Sequence, residues 1–230
     1  MKCFIATMMI IGLILAPVAA MAVFFITDGN ADDLNFFDPA SWSPAAVPGA
    51  DAEIRFGETG TRPNAIGSMI YDPATQSPGD EALYTVGGVD DYVYVGRFQA
   101  GDEYTFYHES GNLVWGAFGS GNYWFWIGGG GVGHYVINGG TVAFGGLGFG
   151  SPSDTLEFGA GTDAIVYVEI AGTYGQSKAD IEALIGSGNI VDLGGEGFVV
   201  TELTSGDHAG YTEVKLAGAA TTPGTLIYGK

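Results

Sequence analysis

Between Gly111 and Gly150 the chain reads GNLVWGAFGSGNYWFWIGGGGVGHYVINGGTVAFGGLGFG, a succession of short aromatic or β-branched runs each closed by glycine. Runs of this kind form strands of about four to six residues, because β-branched and aromatic side chains suit a pleated surface and glycine lets the backbone turn sharply. No long helix fits such a pattern. The rest of the chain is therefore read as an extension of this one rhythm.

Strand-like runs recur in groups of three. The first group is Glu53 to Phe56, Ala65 to Tyr71 and Leu83 to Val86; the second is 92–96, 104–109 and 112–116. The third is 123–128, 134–138 and 141–145, and the fourth 147–150, 155–159 and 164–170. Gly96 and Gly128 lie 32 residues apart, and Gly116 and Gly145 lie 29 apart, a spacing that marks solenoid repeats. Three strands per repeat predict a right-handed parallel β-helix, a three-faced solenoid of about four coils, with a β-sandwich as the alternative all-β fold.

The flanks divide the chain further. Residues 1–22 read as a signal peptide: Lys2, an apolar run from Phe4 to Leu15, Pro17, and a small-x-small site at Ala20-Met21-Ala22. An uncleaved anchor is the alternative, since apolar character continues through Phe24, Phe25 and Ile26. Residues 23–51 are expected to form a lead-in, polar and flexible at Asp28 to Asp33, and an N-terminal cap. There Trp42 with Pro44 and Pro48 would cover the open core and block further strand pairing. The β-helix is assigned to 52–170. Residues 171–230 form a C-terminal cap, with a short helix from about Lys178 to Ile185 ending at Gly186, then a closing antiparallel pair, GFVVTEL and YTEVKLA.

Charge and cysteine content narrow the function. Cys3 is the only cysteine and falls within the leader, so no disulfide is expected in the mature chain. Removing Lys2 with the leader leaves 6 basic against 26 acidic residues, a formal charge of −20. Such a surface repels phosphate backbones, so neither nucleic acid nor, after leader cleavage, a membrane is an expected partner.

Strand alternation sorts the first run of each group into two columns. Ile54 and Phe56, Val93 and Val95, Phe125 and Ile127, Leu147 and Phe149 make an apolar column, read as core. The other holds Glu53 and Arg55, Tyr92 and Tyr94, Trp124 and Trp126, Gly146 and Gly148. Tyr92, Tyr94, Trp124 and Trp126, with Arg55 placed for a cation–π contact, form the candidate binding face, suited to sugar rings or another protein. The competing expectation is that a loop or the C-terminal segment covers these rings as a second small core.

Catalytic and metal signatures are absent from the sequence. His108, His134 and His208 lack metal-ligand spacing and read as strand-edge or loop residues. Asp90, Asp91, Asp102, Glu103 and Glu109 read as solvated turn carboxylates, and the Gly130-Gly131-Val132-Gly133 run lacks the acidic ligand of a calcium-binding repeat. No phosphate loop or nucleophile elbow occurs. No enzyme activity, cofactor or metal is therefore expected.

The leader, the W-S-P-x-x-V-P-x-x-D segment, IGGGGVGHYVINGGTV and the closing ADIEALIGSGNI together resemble secreted bacterial β-helix surface proteins, of autotransporter-passenger-like and PEP-CTERM-type exported kinds. The C-terminal Pro-Glu-Pro sorting motif of the latter does not occur in this sequence. The resemblance implies a secreted or cell-surface protein of structural or adhesive function, with polysaccharide or other surface proteins as partners. A carbohydrate-binding or polysaccharide-processing protein and a self-associating filament subunit are the alternatives.

Overall fold

The structure is a computed structural model and describes residues 22–26, 31–48, 52–56, 66–76, 84–86, 92–96, 101–115, 124–171 and 174–219. It begins with three short strands, Ala22–Ile26 (β1), Leu34–Asn35 (β2) and Trp42–Ser43 (β3). Next come Ala52–Phe56 (β4), Ile66–Tyr71 (β5), a helical turn at Pro73–Gln76 (α1) and Tyr84–Val86 (β6). Tyr92–Val95 (β7), Glu103–His108 (β8) and Asn112–Trp115 (β9) follow, and then Trp124–Ile127 (β10), Val132–Ile137 (β11) and Thr141–Phe144 (β12). The last triplet is Leu147–Phe149 (β13), Thr155–Phe158 (β14) and Ile165–Glu169 (β15). Lys178–Ser187 (α2), Ile190–Asp192 (β16), Phe198–Leu203 (β17) and Tyr211–Leu216 (β18) complete the described chain.

From β4 to β15 successive strands join three six-stranded sheets in strict rotation. The sheets run β13-β10-β7-β4-β1-β3, β16-β14-β11-β8-β5-β2 and β17-β18-β15-β12-β9-β6. The fold is all-β with parallel sheets. Antiparallel pairing, which a β-sandwich would use throughout, is confined to the ends, at β1–β3, β15–β18 and β17–β18. All four expected strand triplets are present, with boundaries shifted by a residue or two.

The inner faces of the three sheets meet in one core. Ile54, Val93, Val95, Phe125 and Ile127 are fully buried and Leu147 almost so, as the apolar column predicted, while Phe149 at the end of the row is half-buried. Through the middle of the core runs an aromatic stack that strand counting did not reveal. Trp115 packs edge-on to Phe36 and Phe106 and tilts against Phe125, which in turn meets Phe144 at 4.7 Å and Tyr135 at 5.5 Å. Offset and edge-on geometries of this kind are the favourable ones for aromatic quadrupoles.

The N-terminal region departs from its expected role as a lead-in. β1 is itself a rung of the first sheet, parallel to β4 with Ala22 opposite Ala52. Of the polar stretch expected to be flexible, residues 28–30 lie outside the described residues, whereas Ala31 and Asp33 are tied to β5 through Ser68. Hydrogen bonds to Ser68, 35 residues on, explain the difference, because they order a polar run that hydropathy alone marks as loop. Trp42 is fully buried, its indole N–H donating to Phe36 O at 2.7 Å, and β3 pairs antiparallel on the outer edge of β1. Asp51, Asp90, Asp91 and Arg97 lie outside the described residues.

The expected C-terminal helix and closing antiparallel pair are present, with one shift. Ser177 and Asp180 make a reciprocal capping box at the start of α2, but the helix passes through Gly186 and ends at Gly188, which is in the left-handed conformation at φ 83°. Gly186 faces open space, so nothing there demands a turn. The closing pair β17–β18 is antiparallel and adds to the third sheet beside β15. β16 was not foreseen; it extends the second sheet beside β14.

Candidate functional site

The first sheet sets the column of candidate residues by its register. Arg55 pairs with Tyr94, Tyr94 with Trp126 and Trp126 with Gly148, while Tyr92 pairs with Trp124. Arg55, Tyr92, Tyr94, Trp124 and Trp126, together with Gly148, therefore occupy one pleat face on successive strands. The side chains of Arg55, Tyr92, Tyr94 and Trp124 lie outside the described atoms. Trp126 is described: it is half-buried between two fully buried neighbours, Phe125 and Ile127. Its six-membered ring lies against Gly148, where any Cβ would collide with Cε3 and Cζ3. The glycine is thus the seat of the indole.

Beside Trp126 a cleft of about 590 Å³ opens between β13 and the segment leading into α2. It is lined by the apolar Phe125, Trp126, Leu147, Phe149 and Leu184 together with the polar Ser151, Gln176, Asp180 and Asn189. Gln176 Nε2 donates to Leu147 O at 3.0 Å, and Asn189 Nδ2 donates to Ser151 O and Asp154 O. The Ser177 hydroxyl and amide hold the Asp180 carboxyl below the usual carboxylate range. A cleft of this size, lined by apolar and polar groups in nearly equal measure, lies within the size range of small-ligand sites. Sequence alone did not single it out, because its two walls are about 30 residues apart.

A second, smaller apolar cluster lies on the third sheet. Val114, Ala143, Ile165, Tyr167 and Tyr211 form a separate buried cluster on the third sheet, with Leu203 packed against it. His208, in the loop after β17, stacks on Tyr167 at 4.4 Å, and burial lowers its pKa.

Two of the three histidines lie within the second sheet, contrary to their assignment to edges and loops. His108 is fully buried in β8, with Nδ1 3.0 Å from Tyr135 Oη and Nε2 3.2 Å from Gly111 O. Burial lowers its pKa to about 4. His134, on the central strand β11, bridges to the strands on both sides. Its Nδ1 is 3.1 Å from Glu157 Oε1 and 2.7 Å from Thr155 Oγ1, and its Nε2 is 3.9 Å from Glu103. The hydrogen bond with Glu157 raises the His134 pKa against an opposing desolvation, and the same bond lowers that of Glu157. Asp102, expected to be solvated, is buried, and Glu109 accepts from Asn138.

Among the described residues no group of three or more His, Cys, Asp or Glu is placed to hold a metal ion. No described helix is long and apolar enough to cross a membrane. No protein family, curated protein or solved structure matches the chain.

Proposed function

We propose that the chain is a secreted or cell-surface structural and adhesive protein, a right-handed parallel β-helix without enzymatic activity that binds glycans through its aromatic column. The observation that carries this is the register of Tyr94, Trp126 and Gly148 on adjacent strands, with the Trp126 ring seated on the glycine and half-exposed. A row of flat rings on a rigid sheet presents an unhydrated surface to the apolar face of a pyranose. The rotation of strands among three parallel sheets supports the coiled arrangement, and parallel crossovers take the right-handed sense in nearly all proteins. The acidic balance favours a neutral glycan over an anionic one.

The test is the Trp124→Ala/Trp126→Ala double variant, measured by retention on insoluble polysaccharides and by a glycan array with and without calcium. Loss of retention with unchanged far-UV circular dichroism is the expected result. Retention equal to that of the unaltered chain, or silence of the unaltered chain on every glycan, would overturn the glycan reading.

A further inference from the structure

At this end, among the described residues, the first sheet stops one strand short of the second and two short of the third. Beyond β14 the second sheet continues with β16, and beyond β15 the third continues with β18 and β17, but among the described residues nothing pairs with the outer edge of β13. The chain passes this place at Tyr174 to Gln176 without joining the ladder, and lines the far wall of the 590 Å³ cleft. Its backbone is held elsewhere: Gln176 N–H donates to Glu169 O at 2.9 Å, and Gln176 O accepts from Thr212 Oγ1 at 2.8 Å.

The exposed edge of β13 has defined hydrogen-bonding groups. Phe125 N–H donates to Gly146 O, and Gly150 N–H to Ile127 O, so Gly146, Gly148 and Gly150 face β10. Alternation then directs the amides and carbonyls of Leu147 and Phe149 into the cleft. The Gln176 side chain donates to Leu147 O at 3.0 Å, as the amide of a neighbouring strand would. A strand residue fills roughly 160 Å³, the product of rise, strand spacing and sheet spacing, so the cleft holds about four residues.

We propose that this cleft receives an extended strand of a partner protein, added parallel to β13. Leu147, Phe149 and Leu184 call for apolar side chains on its inward face, and Asp180, among the described residues the only carboxylate lining the cleft and unaccompanied there by lysine or arginine, calls for a cationic residue beside it. Strand addition of this kind draws its affinity from main-chain hydrogen bonds and its selectivity from alternate side chains. A second copy of this chain, with its formal charge of −19, is the poorer electrostatic match.

The test uses the 230-residue chain and a set of labelled heptapeptides in which valine or leucine alternates with threonine and one position is lysine, read by fluorescence anisotropy. Saturable binding is expected. N-methylation of alternate amides along one peptide edge should weaken binding at least tenfold, while methylation along the other edge leaves it within twofold. Gln176→Ala should tighten binding two- to tenfold, because it releases Leu147 O while the backbone bonds of residue 176 persist. Failure of every heptapeptide, equal loss from both methylation patterns, weaker binding by Gln176→Ala, or occupancy by cellohexaose with no peptide binding would each overturn the proposal. Because Trp126 also lines the cleft, the Trp124→Ala single variant, with Trp126 intact, is carried through both assays, and loss of polysaccharide retention with peptide binding unchanged separates the two sites.

Discussion

The carboxylate of Asp154 fills the space that a side chain on Gly128 would need. A Cβ built on Gly128 collides with Asp154 Cγ and both carboxylate oxygens, and the glycine sits at φ 78°. Asp154 is fully buried, accepting from Gly133 N–H at 3.0 Å and from Ser151 N–H at 2.5 Å. A corner of the chain between β10 and β11 is thereby fastened to the next corner, between β13 and β14.

Gly128→Ala is accordingly expected to destabilise by about 1–3 kcal/mol from backbone strain alone, with a further loss as the carboxylate is displaced. Asp154→Ala should cost about 1–3 kcal/mol by leaving the buried Gly133 amide unsatisfied. Urea unfolding midpoints measure both. A midpoint for Gly128→Ala equal to that of the unaltered chain would contradict this packing.

The His134–Glu157 bridge makes a contribution confined to mildly acidic pH. His134 has a raised pKa, so its share is complete below the unfolded value of 6.5 and is lost as pH rises through the folded value. Glu157 has a lowered pKa, so its share is complete above 4.5 and is lost as pH falls through its folded value. The stability difference between the unaltered chain and His134→Gln should therefore be greatest between about pH 4.5 and 6.5, and of the order of 1 kcal/mol for this partly buried pair. Denaturant midpoints across pH 4–9 check the position of the maximum.

His108 acts in the opposite sense. Burial keeps it neutral in the fold, so between pH 6.5 and about 4 the unfolded chain takes up a proton that the folded chain does not. Stability should fall with pH across that interval by about 3 kcal/mol, then level off from this source. Ring-proton chemical shifts of His108 should show no titration until pH approaches 4, and a midpoint near 6.5 in the folded chain would show the burial to be wrong.

Trp115 joins the aromatic stack at its centre and donates its indole N–H to Tyr135 Oη at 3.3 Å. Trp115→Ala should cost about 3–5 kcal/mol, against less than about 0.5 kcal/mol for Leu193→Ala, whose side chain is 55% exposed. Thermal unfolding of the two variants side by side measures the contrast.

Much of the architecture is legible in the strand rhythm. Alternation of Val93, Val95, Phe125 and Ile127 with larger polar or aromatic neighbours already states which face is inward, because the pleat has period two. The capping box at Ser177 and Asp180 is equally local and equally readable. Less legible was the second apolar cluster, which forms around Tyr167 on the third sheet where the loop with His208 folds. Nor did spacing reveal His134 beside Glu157, 23 residues on, because the number of residues in each corner sets which positions on adjacent strands come level.

The sequence by itself determined the strand triplets, the inward column and the closing helix and hairpin, all of which follow from period, glycine placement and capping within a few residues. Tertiary structure alone decided that Gly148 would seat Trp126, that Asp154 would lock Gly128, and that the first sheet would end at β13 beside an open cleft. These are contacts between residues 20 to 40 positions apart. Their formation depends on how each corner offsets one strand against the next, a geometric quantity that no local pattern of side chains encodes.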